Sequence, residues 1–276
     1  MVASSQVHKV EVLPLVKAYP NLSRKYGEVA CIAGLDLDNG KWIRLYPVPF
    51  RSLEDKQKFR KYEPIRATVQ RRTADRRPES WRVDADSIER TAPVISTARG
   101  WEARRPIVEP AIGASMCAIR RAQQEVGTSL GMFRVHDVSD LVIDEVERDP
   151  EKSEMAEAWA AQGSLLDAGE LWQQREALEQ IPFRFQYRYR CSDTACQGHL
   201  QSIVDWEIVE LFRNVRDQAN WKELIRKKWL DQMCGADREA AFIVGNQHQY
   251  PDGFLVLGVW WPPRSQQLSL TDAVDP

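Results

Sequence analysis

Glu28-Val29-Ala30-Cys31-Ile32-Ala33-Gly34-Leu35-Asp36-Leu37, then Asp38-Asn39-Gly40, then Lys41-Trp42-Ile43-Arg44-Leu45-Tyr46-Pro47-Val48 is the stretch that decides the fold class. Two apolar, partly β-branched runs flank a short polar break. Asn-Gly supplies two residues that tolerate positive φ, so the chain is expected to turn tightly and pair the two runs as a hairpin. Pro47 and Pro49 end the second strand, because proline cannot donate to a ladder.

Working outward, residues 7–16, 64–72, 138–146 and 181–190 carry strand patterns. Two apolar strands, 240–244 and 254–261, are expected near the end. Helices are expected over 52–61, 112–126, 202–215 and 220–233. Residues 151–178 read as two helices broken at Gly163 and Gly169, and 73–110 as a long loop or irregular strands. Residues 265–276 read as a loose tail. The order is not a regular βαβ alternation, so the class is α+β. The N-terminal part is β-rich, with a barrel as one way to close it; a helical C-terminal part follows, closed by two further strands. A boundary near residue 150 would separate a basic β-rich domain, 1–150, from a helical domain, 151–276, with a single merged domain as the alternative.

Composition limits the function classes. Hydrophobic residues make up 43% of 276, enough for a substantial core, and ten of them are Trp. No apolar run reaches the ~20 residues of a membrane span. The N-terminus lacks the basic, apolar and small-residue pattern of a secretory signal. A cytoplasmic location with reduced thiols is therefore expected. Five cysteines, an odd number, do not suggest a disulfide framework. Net charge is only −2, but residues 41–105 hold 17 Lys/Arg against 9 Asp/Glu, and residues 137–180 hold 3 against 13. The basic segment could face nucleic acid and the acidic one a protein partner, or the two could neutralise each other.

The sharpest chemical motif is Cys191-x4-Cys196-x2-His199, spaced by Ser192, Asp193, Thr194 and Gly198, which favour turns. Thiolate and imidazole are the ligands Zn²⁺ takes, usually four in a tetrahedron. Cys234 is the first candidate for the fourth, with Cys117, Cys31, His248 and Asp205 behind it. Just after the motif, Asp205 and Glu207 could hold a divalent metal for phosphodiester cleavage with His248 as a base. Alternatively, acids simply suit a first helical turn. No phosphate-cradling Gly-rich loop and no Gly-x-Ser-x-Gly elbow occurs.

Phe183-Arg184-Phe185-Gln186-Tyr187-Arg188-Tyr189-Arg190 alternates without a fault, so aromatics and Arg lie on opposite faces, with the aromatics expected in the core. Trp42, Arg44 and Tyr46 share a strand face. Arg71, Arg72, Arg76, Arg77 and Trp81 form the densest basic loop. Together they are the candidate nucleic-acid contacts, through paired guanidinium donors and aromatic stacking.

Three runs, Trp42-Ile43-Arg44-Leu45-Tyr46-Pro47, Cys191 to His199 leading into Asp205-Trp206-Glu207, and Phe242-Ile243-Val244-Gly245-Asn246 before Phe254-Leu255-Val256-Leu257-Gly258, resemble an uncharacterised bacterial protein family associated with mobile or defence-type gene neighbourhoods. The resemblance implies nucleic-acid business in a bacterium. The sequence is thus expected to encode a nucleic-acid-binding accessory protein with a structural zinc knuckle. A metal-dependent nuclease and a non-enzymatic protein-interaction subunit are the alternatives.

Overall fold

Strand β1 (Val7–Lys17) opens a sheet that closes on itself. In the computed structural model, which describes residues 7–71, 75–166 and 176–264, β2 (Asn21–Ser23), β3 (Gly27–Asp36), β4 (Trp42–Val48), β5 (Ile65–Gln70) and β6 (Ser80–Arg90) follow. The order β1-β5-β6-β4-β3 is closed by β1 pairing with β3, which makes a five-stranded barrel; β2 adds to β3. Val12, Ala30, Ile32, Leu45, Ile65, Ala67 and Val83 fill the interior. On the other face of β1 and β3, Leu13, Leu15, Ala33 and Leu35 pack against Ala241, Ile243, Leu257 and Trp260. Burial on both faces is why these two strands read as apolar runs instead of alternating ones.

The expected hairpin is β3–β4, but its turn is wider than a two-residue one. Asp36 organises it, accepting the Asp38 amide and the Asn39 side chain, and only Gly40 takes positive φ, at 69°. The short helix expected over 52–61 is a 3-10 turn, Phe50–Ser52, followed by further turns. Within 73–110 the chain forms the eleven-residue β6 and two helical turns, α1 (Ala98–Trp101) and α2 (Arg105–Val108).

The rest comprises β7 (Ile112–Gly113), α3 (Met116–Val126), β8 (Leu130–Arg134), β9 (Asp137–Glu145), α4 (Pro150–Leu166), β10 (Phe183–Arg190), β11 (His199–Ser202), α5 (Trp206–Val215), α6 (Trp221–Arg226) running into a π-helical segment (Lys227–Gln232), β12 (Ala241–Gln247) and β13 (Tyr250–Trp260). They build a sheet of order β13-β12-β8-β7 and another of order β11-β10-β9. The chain is α+β, as expected. Helix α4 runs through Gly163 without the expected break; Gly169 and the tail 265–276 lie outside the described residues.

The alternating strand β10 packs as its pattern demands. Phe185, Tyr187 and Tyr189 are buried, and Tyr187 stacks on Phe242 at 4.4 Å. Arg184, Arg188 and Arg190 are exposed on the other face, in register with Asp144, Asp140 and Asp137 of β9. Opposite charges directly across an antiparallel pair attract. Part of the acidic segment therefore lies in register with this Arg face. Among the described residues, no helix is long and apolar enough to cross a membrane.

Candidate metal centre

The antiparallel pair β10–β11 is joined by the loop that carries the cysteines. Tyr189 and His199 face each other across the last rung, so Cys191 and Cys196 hang from the hairpin's open end. The loop is wound by its own polar groups. The Cys196 amide donates to Asp193 O (3.0 Å), the Ala195 amide to Asp193 Oδ1 (3.0 Å), and Gly198 takes φ of 97°. That positive φ lets the chain reverse so that His199 returns beside Cys196.

Helix α3 supplies the fourth group. Ser115 caps it, accepting the Ala118 amide at 3.0 Å, and Cys117 sits in the first turn. Two contacts hold the loop against this turn: Ser192 Oγ donates to Ala114 O (2.9 Å), and Arg121 pairs with Asp193 (2.8 Å). As a result one ligand atom each from Cys117, Cys191, Cys196 and His199 lies within 4.8 Å of all the others. Cys191 Sγ is 3.6 Å from Cys117 Sγ; His199 Nε2 is 3.2 Å from Cys196 Sγ and 3.7 Å from Cys117 Sγ. The arrangement is compatible with a metal site.

Burial pushes the Cys191 thiol up, but hydrogen bonds from the backbone of Asp193 and Cys117 and the side chains of His199 and Cys196 outweigh it and bring it to about 6. Burial and the hydrogen bond and charge of Cys191 push Cys117 up to about 12. Three thiols this close repel each other's charge unless a cation shares it. The Gly198 amide points at Cys196 Sγ (3.3 Å), an outer contact of the kind that steadies a ligating sulfur.

Cys234, the first candidate for the fourth ligand, lies elsewhere. Its Sγ donates to Trp229 O at 3.6 Å, and burial pushes it up to about 12, so it remains a protonated core thiol. Cys117 stands in the cluster instead, 74 residues from Cys191 in sequence and marked by no local spacing. Cys31 lies in β3 of the barrel, 4.0 Å from an Arg44 nitrogen.

Asp205 and Glu207 do come together, around a lysine. Asp205 is the N-cap of α5, accepts the Glu207 amide (3.0 Å), and binds Lys61 Nζ through both oxygens (2.8 and 2.7 Å), while Glu207 reaches the same lysine at 3.2 Å. Lys61 comes from the barrel, so this ion pair ties the barrel to α5. His248 is in a different group, 3.5 Å from Asp75.

The basic residues divide into two kinds. Arg44 is 4% exposed and gives its donors to Asn246 O (2.9 Å) and Ser129 O (2.7 Å). Arg77 is held by Asp75 through two hydrogen bonds (2.9 and 2.8 Å). These two arginines fasten the barrel and its β5–β6 loop to Ser129, just before β8, and to Asn246 of β12. Arg71 and Arg76 are exposed, and Arg71 stacks 3.9 Å over the ring of Trp81, which His8 meets edge-on at 5.6 Å. Trp42 is half-buried against the core shared with β12 and β13, Tyr46 meets Tyr26 edge-on at 6.5 Å, and Arg72 lies outside the described residues.

Residues 112–275, more than half of the chain, match a family model described as "Domain of unknown function (DUF8757)". The chain belongs to that family. Residues 8–110, which contain the barrel, match a second model, "Domain of unknown function (DUF8758)". All four candidate ligands fall within the DUF8757 match, while Lys61 and the Arg71–Trp81 stack fall within the other. No curated protein matches the chain.

Proposed function

We propose that the protein binds nucleic acid and is braced by one structural zinc ion. The observation that carries the brace is the size of the ligand cluster. A Zn–S bond of about 2.3 Å gives a tetrahedron with S···S edges of about 3.8 Å and slightly shorter S···N edges. Three of the six separations, 3.2 to 3.7 Å, are close to those edges, and all six lie within 4.8 Å. Four protein ligands leave no open position, which is the mark of a structural site and not of a hydrolytic one. With Asp205 bound through both oxygens to Lys61, the metal-dependent nuclease reading loses Asp205 as a free ligand.

The nucleic-acid reading is supported by the Arg71–Trp81 stack beside exposed Arg76. The Arg71 guanidinium donates from Nη1 to the carbonyls of Pro78 and Ser80 and offers its remaining N–H groups to phosphate, and the imidazole of His8 beside the indole offers a flat face to an unpaired base. An accessory role in bacterial nucleic-acid processing or defence fits a chain with a closed metal site. Metal analysis of the purified protein tests the brace: about one zinc per chain is expected, lost in Cys117→Ser. Binding of short single-stranded DNA and RNA over a salt series tests the rest. Affinity should fall steeply with salt and drop in Arg71→Ala and Trp81→Ala. No binding at low ionic strength would rule out the nucleic-acid half.

A further inference from the structure

The barrel has a gap. β4 and β6 are parallel neighbours over two pairs only, Arg44↔Ser80 and Leu45↔Trp81. The Arg44 amide donates to Glu79 O at 2.7 Å, which sets the phase: odd-numbered residues of β6 turn their amides towards β4. One more step would bring the Val83 N–H to Tyr46, but the pairing stops first. Beyond Trp81, β6 pairs with β5 alone, through Val69↔Val83 and Thr68↔Asp84. Further along, Gln57 Nε2 donates to the carbonyls of Ala85 (3.1 Å) and Asp86 (3.2 Å) and closes the edge there. Val83 is left presenting one N–H and one C=O to the space between the strands.

A cavity of about 500 Å³ includes this gap: Val29, Pro47, Pro49 and Val83 line it, it extends over β5 to Val69, and Arg82, Asp84 and Asp86 line it with charge. The volume suits a molecule of nucleoside size. An extended peptide would need several successive backbone groups to pair with, but the Ala85 carbonyl is taken by Gln57 and the facing prolines have no N–H. A flat group with a donor beside an acceptor, between apolar walls, needs no more than this, and the edge of a nucleobase is such a group. The rim specifies what the base is attached to. Asp84 and Asp86 are exposed and form no ion pair among the described residues, so their oxygens are acceptors for hydroxyl groups. Arg82 lies on the same face and suits a phosphate.

We infer that the β4–β6 gap binds one nucleobase of a ribonucleotide, the base on the main chain of Val83 and the ribose hydroxyls on Asp84 and Asp86. This deepens the nucleic-acid reading and rests on it wherever the base belongs to a strand. The test follows backbone amide signals of the isotope-labelled full chain by NMR. The probes are adenosine, guanosine, cytidine and uridine, their 2′-deoxy forms, and acetylglycine amide, each raised to about 10 mM, a range that detects millimolar Kd. A short single-stranded RNA is titrated in parallel.

At least one ribonucleoside should shift Val83, and its deoxy form should bind about tenfold more weakly, the size of one lost hydrogen bond to a charged group. The Asp84→Ala, Asp86→Ala double variant should lose that preference and still show the Val83 shift. Silence at Val83 with every nucleoside, equal affinity for ribose and deoxyribose, or an equal shift from acetylglycine amide would each overturn the inference. RNA binding with Val83 silent would overturn the gap and leave the nucleic-acid reading standing. Nucleoside shifts at Val83 without RNA binding would do the reverse.

Discussion

The barrel and the β9–β10–β11 sheet confine their chains by different means. Around the barrel, hydrogen-bonded strands run β1-β5-β6-β4-β3 and back to β1, so most of the backbone is satisfied by a ring with no free end. The β11-β10-β9 sheet is open, and its β10–β11 hairpin carries a polar loop with three sulfur and imidazole ligands facing a fourth from α3. Closing a loop costs entropy whichever agent does it. In the barrel that agent is strand pairing over apolar side chains; at the hairpin, on the proposed reading, it is a cation. The difference predicts that the two regions respond separately to loss of metal and together to loss of the contact between them.

Metal removal is the strongest way to break the comparison. With a chelator, or in Cys196→Ser, the hairpin and α3 should lose on the order of 5–10 kcal/mol of local stability, since binding energy at a structural zinc is folding energy. Hydrogen exchange of the full chain reads this directly. Amides of β10, β11 and α3 should exchange quickly, while β1, β3 and β5 stay protected. Simultaneous loss of protection in the barrel would show one cooperative unit and end the distinction.

Next in size is the lysine that joins the two. Asp205 is 1% exposed and Lys61 is its partner, so Lys61→Met leaves a buried carboxylate unpaired and should cost about 3–5 kcal/mol. Adding Asp205→Leu should recover much of that loss. Burial lowers the Lys61 ammonium, but the charges of Asp205 and Glu207 and the hydrogen bond to Asp205 outweigh it and raise it above its ordinary 10.5. A lysine raised on folding contributes stability that is complete below pH 10.5 and lost as pH climbs past it. Wild type should therefore weaken above that pH in denaturant melts, and Lys61→Met should weaken less. An identical alkaline profile would remove Lys61 from the account.

These contrasts also explain what could be read in the sequence. Strands that bury both faces, β1 and β3, and the faultless alternation of β10 are local patterns, and so is the Cys191–His199 loop with its turn residues. The long strand β6 was harder to see, because it buries Val83 and Ile88 inside the barrel while Arg82, Asp84, Asp86 and Glu89 face outward. The bulge between its pairs with Arg66 and Thr68 then breaks the alternation. Cys117 carried no marker, since only the packing of α3 on the hairpin loop brings it to the other ligands. For the same reason no charge count could separate buried Arg44, which donates to the carbonyls of Ser129 and Asn246, from exposed Arg71.

A smaller effect, where the barrel meets α4, sharpens the comparison. Gly27 has φ of 65°, and a Cβ there would lie 2.2 Å from Trp159 of α4. Gly27→Ala should cost about 2 kcal/mol, part left-handed strain and part overpacking. Trp159→Ala in the same chain should restore the packing part and leave about 1 kcal/mol of backbone strain. Zinc content should be unchanged in both. A loss of zinc would tie the metal centre to the barrel after all.

The smallest effect tests whether the fourth ligand is positioned by its helix. Ser115 Oγ accepts the Ala118 amide and fixes the turn on which Cys117 stands. Ser115→Ala should cost about 1 kcal/mol as a lost cap. If Cys117 completes the tetrahedron, that cost falls on the bound form, because the cation needs the turn formed. Zinc Kd, measured by competition with a chromophoric chelator, should then rise about fivefold. Ser115→Asp keeps a capping oxygen and should restore it. A cap loss that lowers stability equally with and without zinc, at constant Kd, would mean that Cys117 is beside the site and not part of it.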